Sequence, residues 1–238
     1  MTDGVYVGSE LELFEAAVTW KSYLRQQIAP HLGPRVLEVG AGIGSTTRAL
    51  STGIHTRWTC LEPDPTMAAR IAESVAAGTL PDFCEAATGT LSVHAEAAEP
   101  VDAILYIDVL EHIEKDADEV RIASRLLRPG GRLVVLAPAH QWLYSPFDEA
   151  IGHFRRYSRA SLAALTCEGL RLNTLRSLDA VGLLASAGNR FLLRDAHPTP
   201  AQVRLWDRVL VRASRVVDPV FGYRLGKSVL AVWERIGE

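Results

Sequence analysis

The segment Val36-Leu-Glu-Val-Gly-Ala-Gly-Ile-Gly44 constrains this chain more than any other. Arg35–Val39 reads as a short β-branched strand, the glycines as a turn, and Ser45-Thr-Thr-Arg-Ala-Leu50 as the start of a helix. Glycine takes positive φ without strain and lets the backbone approach a ligand where a β-carbon would clash. Such strand–turn–helix passages occur at many nucleotide sites. A dinucleotide fingerprint, GxGxxG, would place its third glycine at position 45. This chain has Ser45 there and Gly44 one step earlier, an offset that disfavours NAD or FAD.

The flanking sequence alternates in the same way. Ser9 to Ile28 has the pattern of an amphipathic helix, with Ser9 as N-cap, Leu13, Ala17 (or Trp20) and Leu24 at helical spacing, and Pro30 as stop. Trp58–Leu61 is a strand. The next helix carries Asp64 as its cap, Pro65 at its first position and Gly78 beyond its last turn. Strands follow at Phe83–Ala86 and Ala103–Ile107. A helix from Asp116 to Leu127 ends at Arg128-Pro-Gly-Gly131, before a strand at Arg132–Leu136. Two more strands, Asn173–Leu178 and Ser228–Trp233, bracket helices at Ala180–Leu193 and Thr199–Val217. This alternation predicts an α/β fold with a parallel sheet covered on both faces.

Composition narrows the function. The 238 residues suit one α/β domain, and 48% hydrophobic with 22% charged residues is ordinary globular usage. The net charge of −3 argues against a globally cationic nucleic-acid surface, and Arg155, Arg156 and Arg159 form the one notable basic cluster. Cys60, Cys84 and Cys167 fit neither a disulfide framework nor a CxxC metal site, so a cytoplasmic setting is expected. The N-terminus lacks the basic-then-apolar order of a signal peptide. Leu178 to Leu193 is broken by Asn189 and Arg190, so no integral membrane segment is expected.

Glu62 ends the second strand about 20 residues past the glycines, where an acid can bond ribose hydroxyls. Asp64 competes for that role, although capping explains it without a ligand. Two further segments matter: Asp102-Ala-Ile-Leu-Tyr-Ile-Asp-Val-Leu-Glu-His-Ile113 and Leu126-Leu-Arg-Pro-Gly-Gly-Arg-Leu-Val-Val-Leu136. Together with the E/D-x-G-x-G-x-G pattern at Glu38–Gly44, they resemble class I S-adenosylmethionine-dependent methyltransferases of the bacterial small-molecule type.

The resemblance implies a Rossmann-like, seven-stranded, mostly parallel sheet with an antiparallel last strand. Helices would cover both faces, with an N-terminal helix and a helical lid insert between the last two strands. It implies one domain over 1–238: a helical cap at 1–34, a cofactor-binding core at 35–137 and a substrate-side half at 138–238 with its insert at about 180–217. The implied cofactor is S-adenosyl-L-methionine, held by Glu38, Gly40, Gly42, Gly44, Glu62, Met67, Thr90 and Asp108. One departure stands out: Thr88-Gly89-Thr90 replaces the usual acid after strand three, which leaves adenine to Thr90 and backbone amides. Trp20 and Tyr23 either close over this site or serve as core aromatics.

Methyl transfer to a neutral hydroxyl needs alignment and removal of a proton, a task suited to histidine. His153 is the first candidate for the base, in Gly152-His-Phe-Arg-Arg-Tyr157, which resembles a segment of many bacterial methyltransferases. His112 and Tyr157 are further catalytic candidates, and His140 lies in the same loop. Tyr144, Arg155 and Arg156 are candidate substrate-positioning groups. The bland alternatives are a capping or core-bonded histidine and a solvated helix start. Asp108-Val-Leu-Glu-His112 also resembles metal-binding methyltransferases, although the adopted reading holds no metal. The insert has basic amphipathic faces that suit a core, a second copy of the chain in a homodimer, or an apolar substrate. The expectation is O-methylation of a small-molecule acceptor, with no nucleic acid. The alternatives are C- or N-methylation of a hydrophobic or lipid-linked intermediate, and a cofactor-holding protein without transferase activity.

Overall fold

Short apolar runs bounded by turns assemble into one seven-stranded sheet in the order β3-β2-β1-β4-β5-β7-β6. The computed structural model describes residues 14–96, 98–188 and 199–237. The strands are β1 (Arg35–Val39), β2 (Arg57–Glu62), β3 (Cys84–Thr88), β4 (Val101–Ile107), β5 (Leu127–Pro138), β6 (Leu170–Leu178) and β7 (Ser228–Arg235). Parallel ladders join β3 to β2, β2 to β1, β1 to β4 and β4 to β5. β7 lies between β5 and β6 and runs against both. The strand order reverses between β1 and β4, which opens the crevice where ligands bind in such sheets.

Helices α1 (Val18–Ile28), α2 (Ser45–Leu50), α3 (Pro65–Ala76), α4 (Leu91–His94) and α5 (Asp116–Leu126) accompany the first five strands. Short helices α6 (Pro146–Ala150) and α7 (Arg159–Ala163) follow β5. After β6 come α8 (Ala180–Gly188), α9 (Pro200–Leu205) and α10 (Val211–Val220), the last two joined by a π-helical turn at Trp206–Leu210. Successive strand residues face opposite sides, so the sheet carries two cores. On one side Val36, Trp58 and Leu105 pack with Tyr23 and Leu24 of α1 and Ile71 of α3. On the other, Leu37, Tyr106 and Val135 pack with Val120 and Ala123 of α5.

The strands fall where the pattern places them, with adjustments at their ends: β4 begins at Val101 and β6 at Leu170, two and three residues earlier than expected. β3 starts one residue later and extends to Thr88, its pairing set by β2. β5 begins at Leu127, because residues 128–131 bulge between the pairs Val101–Leu127 and Ala103–Arg132. Asp64 caps α3 by accepting from the amides of Thr66 and Met67, and Gly78 follows at φ +70°.

The terminal helices depart further from the pattern. The expected start at Ser9, Leu13, and the end of the Ala180–Leu193 helix lie outside the described residues. Among the described residues the first helix is interrupted at Ala17, and α1 begins at Val18 without a side-chain cap of its own. Asp207 supplies one from the insert: its carboxylate accepts from Thr19 N at 3.2 Å and Trp20 N at 2.8 Å. Asp218, also buried, accepts from Tyr23 Oη at 2.7 Å and from the amides of Asp179 and Ala180 at the start of α8. Buried Asp179 accepts from Ser214 Oγ and Trp206 Nε1, both at 2.7 Å. Trp20 and Tyr23 therefore belong to the core that docks the insert. Among the described residues no helix is long and apolar enough to cross a membrane.

Candidate active site

The glycine turn adopts the geometry that its composition requires. Gly40, Gly42 and Gly44 have φ of +68°, +58° and +76°. A β-carbon on Gly40 would lie 2.6 Å from Val109 Cγ2, so this loop has room for a backbone and little else. The amides of Gly40 and Ala41 donate to Leu61 O, which ties the loop to β2. Glu62 then locks the turn: Oε2 accepts from Gly42 N at 2.8 Å and Oε1 from Asp64 N at 3.1 Å. Burial lifts this carboxyl above its usual range, opposed by those two amides.

The other expected cofactor residues divide. Met67 is buried on α3, and Thr90 is exposed after β3 with Oγ1 3.0 Å from Ser92 Oγ. Asp108 ends β4 in a left-handed conformation, φ +54°, with its amide donating to Leu136 O at 2.9 Å. Its side chain reaches solvent, yet protein encloses it on most sides. That desolvation lifts the carboxyl to about 6, moderated by the charges of His153, Lys227 and Arg156. Glu38 is placed differently from the expectation. It is buried beneath the loop, where Oε2 accepts from Thr47 Oγ1 at 2.7 Å and Trp58 Nε1 at 2.8 Å. It braces α2 against β2, and burial raises its carboxyl to about 7.

Beside Asp108, the 3₁₀ turn at Leu110–His112 presents a second cluster. His112 and His153 meet edge to face with ring centroids 4.5 Å apart, and His153 Nε2 lies 3.8 Å from Glu111 Oε1. Burial, then the neighbouring His153, lowers His112 to about 4, so its ring is neutral at pH 7. His153 Nδ1 lies 2.9 Å from Asp148 Oδ1. An ionised Asp148 can only accept, so it fixes the His153 tautomer with the proton on Nδ1 and the lone pair on Nε2. Burial alone would raise the Asp148 carboxyl, but bonds from His153, Arg156 and Ser145 outweigh it and hold the group well below the usual range. Arg156 grips Asp148 with Nε at 2.8 Å and Nη2 at 3.0 Å, and Tyr144 Oη donates to His153 O at 2.6 Å. His153, His112, Tyr144 and Arg156 thus converge, the last two as supports of the histidine loop.

Tyr157 and Arg155 are reassigned by their surroundings. The buried Tyr157 hydroxyl donates to Asp116 Oδ2 at 2.7 Å, and Arg155 Nη1 pairs with the same oxygen at 2.6 Å. Burial and the Asp116 bond raise the phenol far above its ordinary value and commit its proton to that carboxylate. Arg155 further donates to Glu114 O, so it fastens the loop instead of facing an acceptor. His140 sits apart, with Nε2 2.9 Å from Gly226 O.

Two residues escape the sequence pattern. Asp148 reads locally as the N3 acid of a capping box with Ser145, and that box does form. Nothing local announces its bond to His153. Lys227 stands just before β7 because that strand is antiparallel, which puts its first residues at the carboxyl edge of the sheet. Its Nζ lies 4.4 Å from the Trp206 ring centroid.

Residues 37–133 match the family model for a methyltransferase domain. The ubiquinone biosynthesis O-methyltransferase of Xylella fastidiosa (strain 9a5c) is 36% identical over 114 residues, which is 48% of this chain and 45% of that protein. The ubiquinone/menaquinone biosynthesis C-methyltransferase of Paracoccus denitrificans is 28% identical over 136 residues, 54% of each. The chain spans about half the length of the curated relatives it matches. Geranyl diphosphate methyltransferase, solved in complex with S-adenosylmethionine, has the same fold, with TM-score 0.63 and 16% identity over 99% of this chain and 93% of that one. Coclaurine N-methyltransferase, bound to N-methylheliamine and S-adenosylhomocysteine, gives 0.64 at 14% identity over 92% and 73%.

Fold and site define a Rossmann-like methyltransferase architecture. Within the chain, residues 37–133 match a methyltransferase domain, and the fold is that of solved methyltransferases that bind S-adenosylmethionine or S-adenosylhomocysteine. The residues present fit the cofactor of that class. A loop that excludes side chains at Gly40, an acid pinned at the end of β2 and a solvent-reaching acid at the end of β4 line one crevice.

Proposed function

We propose that this chain transfers a methyl group from S-adenosylmethionine to a hydroxyl oxygen of a small hydrophobic or anionic metabolite, with His153 accepting the hydroxyl proton. Glu62 would hold the ribose hydroxyls, the Gly40–Gly44 turn the methionine portion, Asp108 its ammonium, and Met67 with Thr90 the adenine. The bound cofactor supplies an electrophilic methyl carbon. The acceptor oxygen attacks that carbon in line as its proton passes to His153 Nε2.

The observation that carries this reading is the Asp148–His153 contact of 2.9 Å, which orients a basic ring nitrogen beside the crevice. A carboxylate behind an imidazole fixes its tautomer and stabilises the imidazolium that forms. The O-methyltransferase names among the relatives point the same way. C-methylation is the second reading, favoured by the Paracoccus relative.

The test is release of S-adenosylhomocysteine from S-adenosylmethionine with a panel of phenols and catechols. Glu62→Ala should lose cofactor binding. His153→Ala should keep it and lose about 10²–10⁴-fold in turnover. A His153→Ala enzyme as fast as wild type would sink the base assignment, and a wild type that binds no S-adenosylmethionine would sink the whole reading.

A further inference from the structure

The Glu111 carboxylate is fully buried, and neither of its oxygens accepts a hydrogen bond. A buried carboxylate left so costs several kcal/mol unless something compensates it. His153 Nε2, at 3.8 Å, is too far for a hydrogen bond in either protonation state of Glu111. Asp148 holds the His153 proton on Nδ1, so the Nε2 lone pair faces the carboxylate. Two electron-pair donors therefore face each other across a gap.

His112 completes the set. One ligating atom each from Glu111, His112 and His153 lies within 4.8 Å of the others. The His112 ring is held by main-chain carbonyls of Ile151 and Gly152. Gly152, at φ +82°, brings that backbone close, and a β-carbon there would stand 3.9 Å from His112 Nδ1. Both rings are thus oriented from behind, one by a carboxylate and one by backbone, as second partners orient metal-bound histidines. Bonds of 2.0–2.1 Å to an ion would set the ligand atoms about 3.4 Å apart, a contraction within reach of side-chain rotation. Asp108, three residues before Glu111, is exposed to solvent.

We infer that Glu111, His112 and His153 form a site for one first-row divalent transition-metal ion. Two imidazoles and one carboxylate suit zinc, manganese, iron or cobalt better than magnesium, which prefers an all-oxygen shell. This deepens the O-methylation reading and rests on it for its meaning. An ion there would acidify a coordinated acceptor hydroxyl, whose proton would leave to solvent, and His153 Nε2, once a ligand, would no longer be the base proposed above. It also reverses the metal-free expectation drawn from the sequence.

The probe is Co(II), titrated into chelator-stripped, chelator-free whole protein and followed by visible d–d absorption and calorimetry. One equivalent per chain should bind, at least tenfold more weakly in Glu111→Gln and in His153→Ala. Burial holds the Glu111 carboxyl well above its usual range, toward the neutral form, so the near-isosteric Glu111→Gln should fold even if His153→Ala does not. Absence of a stoichiometric site overturns the inference, as does Glu111→Gln binding as tightly as wild type. Neither readout involves methyl transfer. Cobalt binding without S-adenosylhomocysteine release would break the O-methylation reading alone, and release without cobalt binding would break the metal site alone.

Discussion

The crevice at β1, β2 and β4 and the scaffold around α1 and the insert hold their polar groups by opposite means. In the crevice the key bonds are short in sequence: Glu62 reaches Gly42, 20 residues back, and Asp64, two residues on. In the scaffold, Asp207 reaches 187 residues back to Trp20 and Asp218 reaches 195 to Tyr23. Local chemistry shapes the ligand site, and distant buried acids decide how the second half closes on it. A lid that merely swings over substrate would not need three buried aspartates as anchors. Among its described residues, the insert is fixed to α1.

The strongest way to break that contrast is to remove an anchor. Asp218→Ala would strand two amides at the start of α8 and the Tyr23 hydroxyl, and should cost about 3–5 kcal/mol. Urea unfolding measures it. The folded fraction should still bind S-adenosylmethionine with unchanged affinity, because none of these groups lies in the glycine turn. A stability loss below about 1 kcal/mol would mean that the insert is held by apolar packing instead.

Glu38 tests the boundary between the two regions, since it sits beneath the loop without facing the crevice. Its folded pKa of about 7 exceeds the ordinary carboxylate value, so the native state holds the proton more tightly than the unfolded chain. Stability should therefore fall as pH rises from about 4.5 to 7, then level off, for a total of about 3 kcal/mol. Glu38→Gln keeps an acceptor for Thr47 Oγ1 and Trp58 Nε1 and should flatten this dependence. Parallel stability–pH curves for the two proteins would show that Glu38 contributes no such slope.

A smaller effect on stability, with a larger one on binding, is expected at the turn. Gly40→Ala places a side chain at φ +68° against Val109 and should cost about 2 kcal/mol. Affinity for S-adenosylmethionine should drop at least tenfold, read by calorimetry at a temperature where the variant remains folded. Wild-type affinity would show that the Gly40 backbone has no part in the cofactor site.

This division explains what could be read in the chain before its fold was known. Strand positions and the α3 cap at Asp64 follow from local patterns, whereas the register of the ladders and the Glu62 bond to Gly42 do not. Glu38 misled because motif spacing places a residue on a strand without saying which face it takes beneath the loop. Tyr157 and Arg155 misled for another reason. Their composition marks a substrate loop, but Asp116, about 40 residues earlier, claims both. Asp148 was hidden by its own local explanation, since a capping box already accounts for an acid there.

Tyr157→Phe makes the smallest and most discriminating perturbation. The ring stays buried, and Asp116 keeps Arg155 when the phenol is removed, so no carboxylate is orphaned. Loss of one buried hydrogen bond should lower stability by about 1 kcal/mol. Turnover should stay within about twofold of wild type, because the hydroxyl donates to Asp116 within the scaffold. The same assay reports the loss expected for His153→Ala, seated four residues earlier in the same loop. A Tyr157→Phe enzyme with unchanged stability and turnover reduced a hundredfold would return this residue to the chemistry. The reverse pattern shows that neighbouring residues of one loop can be divided between site and scaffold by partners far away in sequence.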